Sequence, residues 1–232
     1  MKNKKPAAKK PAVKKSAAKK PTPPLRDSLV AANKEILAKP LNRVGNPLIS
    51  AIDRTTEIVW FKAADLSLTA NNLIGVYLRN GRRTHERGTL PLDAKLHLAL
   101  YKRFPQINSI AHFYADNVTS FSQAGADIPV TTPEQQMAFG GPIRCCEGIY
   151  EGDEASECRL KDEAAALRLE KGTVFTSGGL LLHHDGAIVW NASPQQTINT
   201  AAGLENIAGL AWSRMVQVRR NKVFGNEDEA DG

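Results

Sequence analysis

The stretch from Thr89 to Ala124, TLPLDAKLHLALYKRFPQINSIAHFYADNVTSFSQA, constrains the fold more than any other part of the chain. Leu92, Leu96, Leu98, Ala99 and Leu100 keep the spacing of one helical face. Pro105 ends that helix, because proline has no N–H to donate and disfavours helix in the residue before it. Ile107, Ser109, Ile110 and Ala111 then run as extended chain into His112-Phe113-Tyr114. A helix, a tight turn and a buried strand in succession predict an α/β layer. Side chains two apart on a strand share a face, so His112 and Tyr114 are expected to point the same way.

Charge divides the chain. The net charge of +7 belongs to the N-terminus: residues 1–25 hold nine lysines and no acid, which leaves −2 for the rest. Residues 1–24 are a lysine-, alanine- and proline-rich segment with too little apolar surface to offset the entropy of ordering. They are read as a disordered arm. Two roles stand for it: a polybasic contact with nucleic acid or an acidic partner, which salt would weaken, or a solubilising tail. Residues 25–222 are read as one domain and 223–232 as an acidic tail. Three cysteines, Cys145, Cys146 and Cys158, lack zinc-ribbon spacing and read as reduced thiols. No apolar run approaches the ~20 residues that span a bilayer. The N-terminal lysines have no apolar core behind them, so no secretory signal is expected. A cytoplasmic location follows.

Along the domain, Leu25, Leu29, Ala32 and Ile36 predict a first helix that Pro40 ends. Gly45-Asn46 reads as a turn into a strand at Leu48, and Glu57–Phe61 as a buried strand. Ile74–Leu78 is a strand entering an Asn80-Gly81 hairpin turn, the strongest short hairpin signal. Gly125–Val130 reads as a turn and a strand. Thr132 caps a helix with Pro133 at its first position. Residues 139–150 read as a turn and a strand, and 154–170 as a charged amphipathic helix. Thr173–Leu182 leads through His183-His184-Asp185-Gly186 to a further strand, followed by a helix from Pro194 to about Val218.

Several of these stretches resemble the class II aldolase/adducin head superfamily over about Leu25 to Val218. The family pattern S-S-E…H-x-A-x-Y meets Pro91-Leu92-Asp93 and His97-Leu98-Ala99-Leu100-Tyr101. The pattern R-P-D…V-x-H-x-H meets Phe104-Pro105-Gln106 and His112-Phe113-Tyr114. The strand–turn–strand containing N-H-G meets His184-Asp185-Gly186. The resemblance implies a three-layer α/β fold with a central mixed, mainly antiparallel sheet flanked by helices. It also implies an oligomer, commonly a tetramer. In the family's enzymes three histidines hold a divalent metal, usually zinc, and an acid on the preceding helix moves a proton while the metal polarises a carbonyl.

Carried onto this sequence, the acid/base position is Asp93 and the ligand positions are His112, Tyr114 and Asp185. Tyrosine and aspartate replace two histidines. Such a set suits manganese or iron better than zinc, and a neutral phenol is a poor ligand. His184 is an alternative third ligand if the register shifts. Gly45 and Asn46 match a substrate-contacting turn. Lys62 stands where the family's hydroxyl-bearing phosphate loop begins, but Ala63-Ala64-Asp65 follow it, and the later Ser-Ser pair is Pro91-Leu92. The loss of both phosphate elements points to a non-phosphorylated substrate. Two functions are therefore expected as alternatives. One is a metal-assisted aldehyde-lyase or related carbon-acid reaction on a small carbonyl compound, with Asp93 and Tyr114 catalytic. The other is a catalytically degenerate oligomeric scaffold whose lysine arm binds nucleic acid or an acidic partner.

Overall fold

A computed structural model describes residues 24–43, 45–85, 87–146 and 177–224. The lysine arm up to residue 23, the expected helix over 154–170, the chain from 171 to 176, Cys158 and the tail from 225 lie outside these residues. Among the described residues seven strands form one sheet in the order β3-β2-β1-β4-β7-β6-β5. They are β1 (Leu48–Asp53), β2 (Ile58–Lys62), β3 (Leu73–Tyr77), β4 (Ser109–Phe113), β5 (Cys145–Cys146), β6 (Gly178–Leu182) and β7 (Ala187–Asn191). Every pairing is antiparallel except β5 with β6. The sheet is thus mixed and mainly antiparallel.

Strand alternation divides the core in two. On one face Ile49, Ala51, Ala111, Phe113, Leu181 and Val189 pack with α1 (Leu25–Ala38), α3 (Asp116–Gln123) and the long C-terminal helix α5 (Pro194–Phe224). On the other, Leu48, Ile52, Ile110, Ile188 and Trp190 pack against α2 (Ala94–Arg103) through Leu96, Leu100 and Tyr101. Truncating any of these fully buried leucines or isoleucines to alanine would cost about 2–5 kcal/mol. Two helical layers around a sheet match the expected architecture. A short helix α4 (Pro133–Phe139) closes the set; Thr132 and Gln135 form the reciprocal capping box that the sequence suggests at one end.

Three local expectations differ from what is seen. α2 begins at Ala94, so Leu92 lies before it and is 95% exposed instead of lining the apolar face. Gly125–Val130 forms no strand: only Ile128 pairs, in a single bridge with Ile143. α3 carries no clear helical signal in the sequence. Its first-turn N–H groups have no side-chain cap of their own; they bond to Glu205, far away on α5, which accepts from Asn117 N (2.9 Å) and Val118 N (3.0 Å).

Candidate active site

Because Ala111 and Phe113 face the α5 layer, His112 faces the opposite way, towards the head of α2. Asp93 is the residue preceding α2, and its carboxylate meets His112 Nδ1 at 3.1 Å. β4 pairs with β7, and the β6–β7 turn carries Asp185 to the other side of the imidazole. There His112 Nε2 donates to the Asp185 backbone carbonyl at 2.6 Å, with the Asp185 carboxylate at 3.8 Å. The Tyr114 hydroxyl donates to Asp185 Oδ1 at 3.2 Å. Its ring tilts against His112, 4.7 Å between centroids, so the two side chains do share a face.

Tyr114 is held by backbone. A Cβ on Gly45 would lie 2.4 Å from its ring, and one on Gly186 would lie 2.8 Å from it and 2.5 Å from the Phe113 carbonyl oxygen. Gly186 also has φ +71°, a left-handed conformation that glycine adopts without strain. Ser122 fixes the same turn. Its hydroxyl donates to the Leu182 carbonyl (2.5 Å) and accepts from Gly186 N (3.1 Å). Nothing in the local sequence around Ser122 signals that role.

Beside this group, the Lys62 ammonium donates to Asn46 Oδ1 (2.8 Å) and to the Pro47 carbonyl (2.6 Å). Gly45, Asn46 and Lys62 thus meet at the end of β1, where Leu48 pairs with His112. Behind Asp93, one helical turn on, His97 is fully buried and bonds through Nδ1 to Ser50 Oγ (2.7 Å), which also meets the Tyr101 hydroxyl (2.9 Å).

The electrostatics follow from burial and from these pairs. Burial opposes a charge on His112, but the bonded Asp93 carboxylate, with Asp185 beside it, prevails and raises its pKa. Burial likewise opposes charge on Asp93, yet the His112 bond and charge, helped by Lys62, bring its pKa below the ordinary value. Asp185 is pushed up by burial and by Asp93, against the pull of His112. Burial lowers Lys62, and Asp93 counters part of that. Burial and two nearby carboxylates raise Tyr114, so its phenol stays protonated. His97, remote from solvent, is pushed down to about 3 by burial and stays neutral.

His184 is not part of the cluster. It has φ +64°, stacks on His183 at 3.8 Å and meets Gln123 Oε1 through Nδ1 at 3.1 Å. The His112–His184–Asp185 ligand set is therefore not assembled. The donor chemistry of the remaining residues does not fit a divalent metal either. Carboxylate and carbonyl oxygens accept, so both ring nitrogens of His112 are engaged and neither presents a lone pair outward. Among the described residues, no three His, Cys, Asp or Glu side chains converge as a metal site.

The profile of the class II Aldolase and Adducin N-terminal domain matches residues 27–212. Solved structures share the fold at low identity. An L-fuculose 1-phosphate aldolase aligns with TM-score 0.69 at 14% identity, covering 82% of this chain and 86% of that one. YgbL from Klebsiella pneumoniae aligns at 0.66 and 21% identity, covering 82% and 88%. A sugar-phosphate aldolase from Thermotoga maritima aligns at 0.65 and 13%, covering 85% and 96%.

Proposed function

We propose, from the premise that this chain belongs to the class II aldolase and adducin N-terminal domain family, that it moves a proton at the carbon beside a carbonyl in a small, non-phosphorylated compound. The observation that carries the proposal is the hydrogen-bonded chain Asp93–His112–Asp185–Tyr114 with Lys62 alongside. Ionisable groups with opposed shifts gathered at one place mark candidate acid/base sites. Asp93, kept ionised by His112, takes the proton from carbon. The Tyr114 hydroxyl, kept protonated, returns one. Lys62 has three N–H donors, of which two are engaged, and the third meets the negative oxygen that develops on the carbonyl. Asp65 argues against a phosphate group: its carboxylate accepts from Thr89 N (2.7 Å) and Thr89 Oγ1 (2.9 Å), putting an anion on the loop after β2.

A second reading is favoured by one observation. The His112 side chain is only 1% exposed and its bonds are already satisfied, as in a scaffold whose catalytic group has become a structural tie. Solvent-deuterium exchange by NMR separates the two. Incubation with hydroxy-aldehydes, hydroxy-ketones and 2-oxo acids should give α-proton exchange that Asp93→Asn slows by about 10²-fold or more. Exchange untouched by Asp93→Asn overturns the acid/base assignment, and no exchange with any of these compounds supports the scaffold.

The remaining expectations belong to the same proposal: self-association into an oligomer, a cytoplasmic location, and polyanion binding by residues 1–24. No helix among the described residues is long and apolar enough to cross a membrane. Binding to a DNA duplex that weakens with salt and disappears when residues 1–24 are removed supports the arm as the contact. Binding that survives the deletion removes the arm from that role.

A further inference from the structure

We infer that this centre is closed to the divalent metal its family commonly carries, and that Tyr114 and Asp185 are the residues that close it. The inference holds whether or not the chain is an enzyme.

An imidazole ligates a metal through the lone pair of one nitrogen while the other N–H is held by an acceptor. His112 departs from that arrangement, since Asp93 holds Nδ1 and the Asp185 carbonyl holds Nε2. To free either nitrogen, a buried hydrogen bond must break and an element must move. The β6–β7 turn cannot easily give way. Asp185 N donates to Leu182 O (2.8 Å), Leu182 N to Gly186 O (3.0 Å) and Gly186 N to Ser122 Oγ (3.1 Å). Gly186 leaves no room even for a Cβ against the strand beneath. In the wild type the carbonyl that blocks Nε2 is therefore held by the turn together with the Tyr114–Asp185 side-chain pair, and it is released when that pair is removed.

Tyr114 closes the second position. Its ring is packed on Gly45 and Gly186, and its hydroxyl is spent on Asp185. A neutral phenol binds metals poorly, and the nearby carboxylates oppose its ionisation. At the third position Asp185 offers a carboxylate, but one already paired with Tyr114 and set against the imidazole. The group between the Asp93 and Asp185 oxygens is an imidazole with its protons, standing where a ligand and its metal would otherwise be.

The test is elemental analysis of the full chain after chelator stripping and dialysis against zinc, for wild type, His112→Ala, and the double variant Tyr114→His/Asp185→His. Wild type and His112→Ala should hold the same amount of zinc, because whatever binds resides elsewhere, for example on the cysteine thiols. The double variant should gain about one equivalent that adding His112→Ala removes. Cobalt loading supplies a second readout, a visible d–d band that depends on His112 only in the double variant. About one equivalent in wild type that His112→Ala abolishes overturns the inference. A folded double variant, checked by circular dichroism, that gains no zinc overturns the assignment to Tyr114 and Asp185.

Discussion

Asn33 offers the sharpest test of how the site end of the sheet is held. It lies on α1 with its side chain fully buried. Its amide N–H₂ donates to the Leu29 and Ile49 carbonyls, each at 3.0 Å, and its Oδ1 accepts from Ile49 N at 3.1 Å. The β1–β2 register covers Ala51 to Asp53, so at Ile49 the Asn33 amide serves as partner where β2 does not. Replacing Asn33 by leucine keeps the branching and heavy-atom count of the side chain and removes both partners of Ile49. Each orphaned buried backbone group costs about 1–3 kcal/mol. The leucine returns part of that through apolar burial, about 1–2 kcal/mol. The net loss is about 1–4 kcal/mol, or about 2–16 °C in Tm for a domain of this size. Urea denaturation followed by circular dichroism measures it, with exposed Lys34→Ala as the neutral control, expected within about 0.5 kcal/mol. A loss under about 1 kcal/mol for Asn33→Leu, with unchanged m-value, refutes the argument that this amide stands in for a strand.

Three further predictions concern the site and its supports. His112, with its pKa raised above 6.5, stabilises the fold fully below that pH and loses the contribution as pH rises through the folded value. Asp93, with its pKa lowered below 3.8, contributes above 3.8 and loses the contribution as pH falls through its folded value. The Tm difference between wild type and His112→Gln should therefore be widest between pH 4 and 6.5 and shrink on both sides; a difference flat from pH 4 to 9 contradicts the pairing. Gly186→Ala places a Cβ 2.5 Å from a backbone oxygen at positive φ, and should cost about 2–4 kcal/mol by thermal denaturation, more than the ~1 kcal/mol of the backbone conformation alone. Glu205→Gln keeps the shape but weakens the cap on α3, and should cost about 1 kcal/mol; protection of the α3 amides in hydrogen exchange should fall while that of β4 is unchanged.

Much of the fold is legible in the sequence because periodicity and punctuation are local. The Asn80-Gly81 turn is one such signal, with Gly81 at φ +71° and Val76 paired to Arg83 across it. Pro47, an unusual residue after a Gly-Asn turn, has its reason in the structure: it precedes β1, where no N–H is asked of it, and lends its carbonyl to Lys62. α3 is different. Its apolar positions Val118 and Phe121 are sparse among polar residues, and the carboxylate that stabilises its start comes from α5. The site divides in the same way. The shared face of His112 and Tyr114 follows from strand geometry. The engagement of both His112 nitrogens does not, because one acceptor is a main-chain oxygen on a turn distant in sequence, whose position depends on Ser122 and Gly186.

The strand order carries a consequence for how the protein acquires this site. β1, β2 and β3 form a meander of sequential neighbours, and β6 with β7 a hairpin, so both close by short loops. β4 alone joins them, pairing with β1 on one side and β7 on the other. Each of those pairings links residues far apart in the chain, and such contacts form late because loop closure must come first. Insertion of β4 is thus expected to be the step that unites the two parts of the sheet. His112 rides on that strand, so its partner Asp185, on the β6–β7 turn, is without it until β4 pairs with β7. Substitutions within β4 are expected to slow refolding, whereas those within the β6–β7 turn act on a piece already closed.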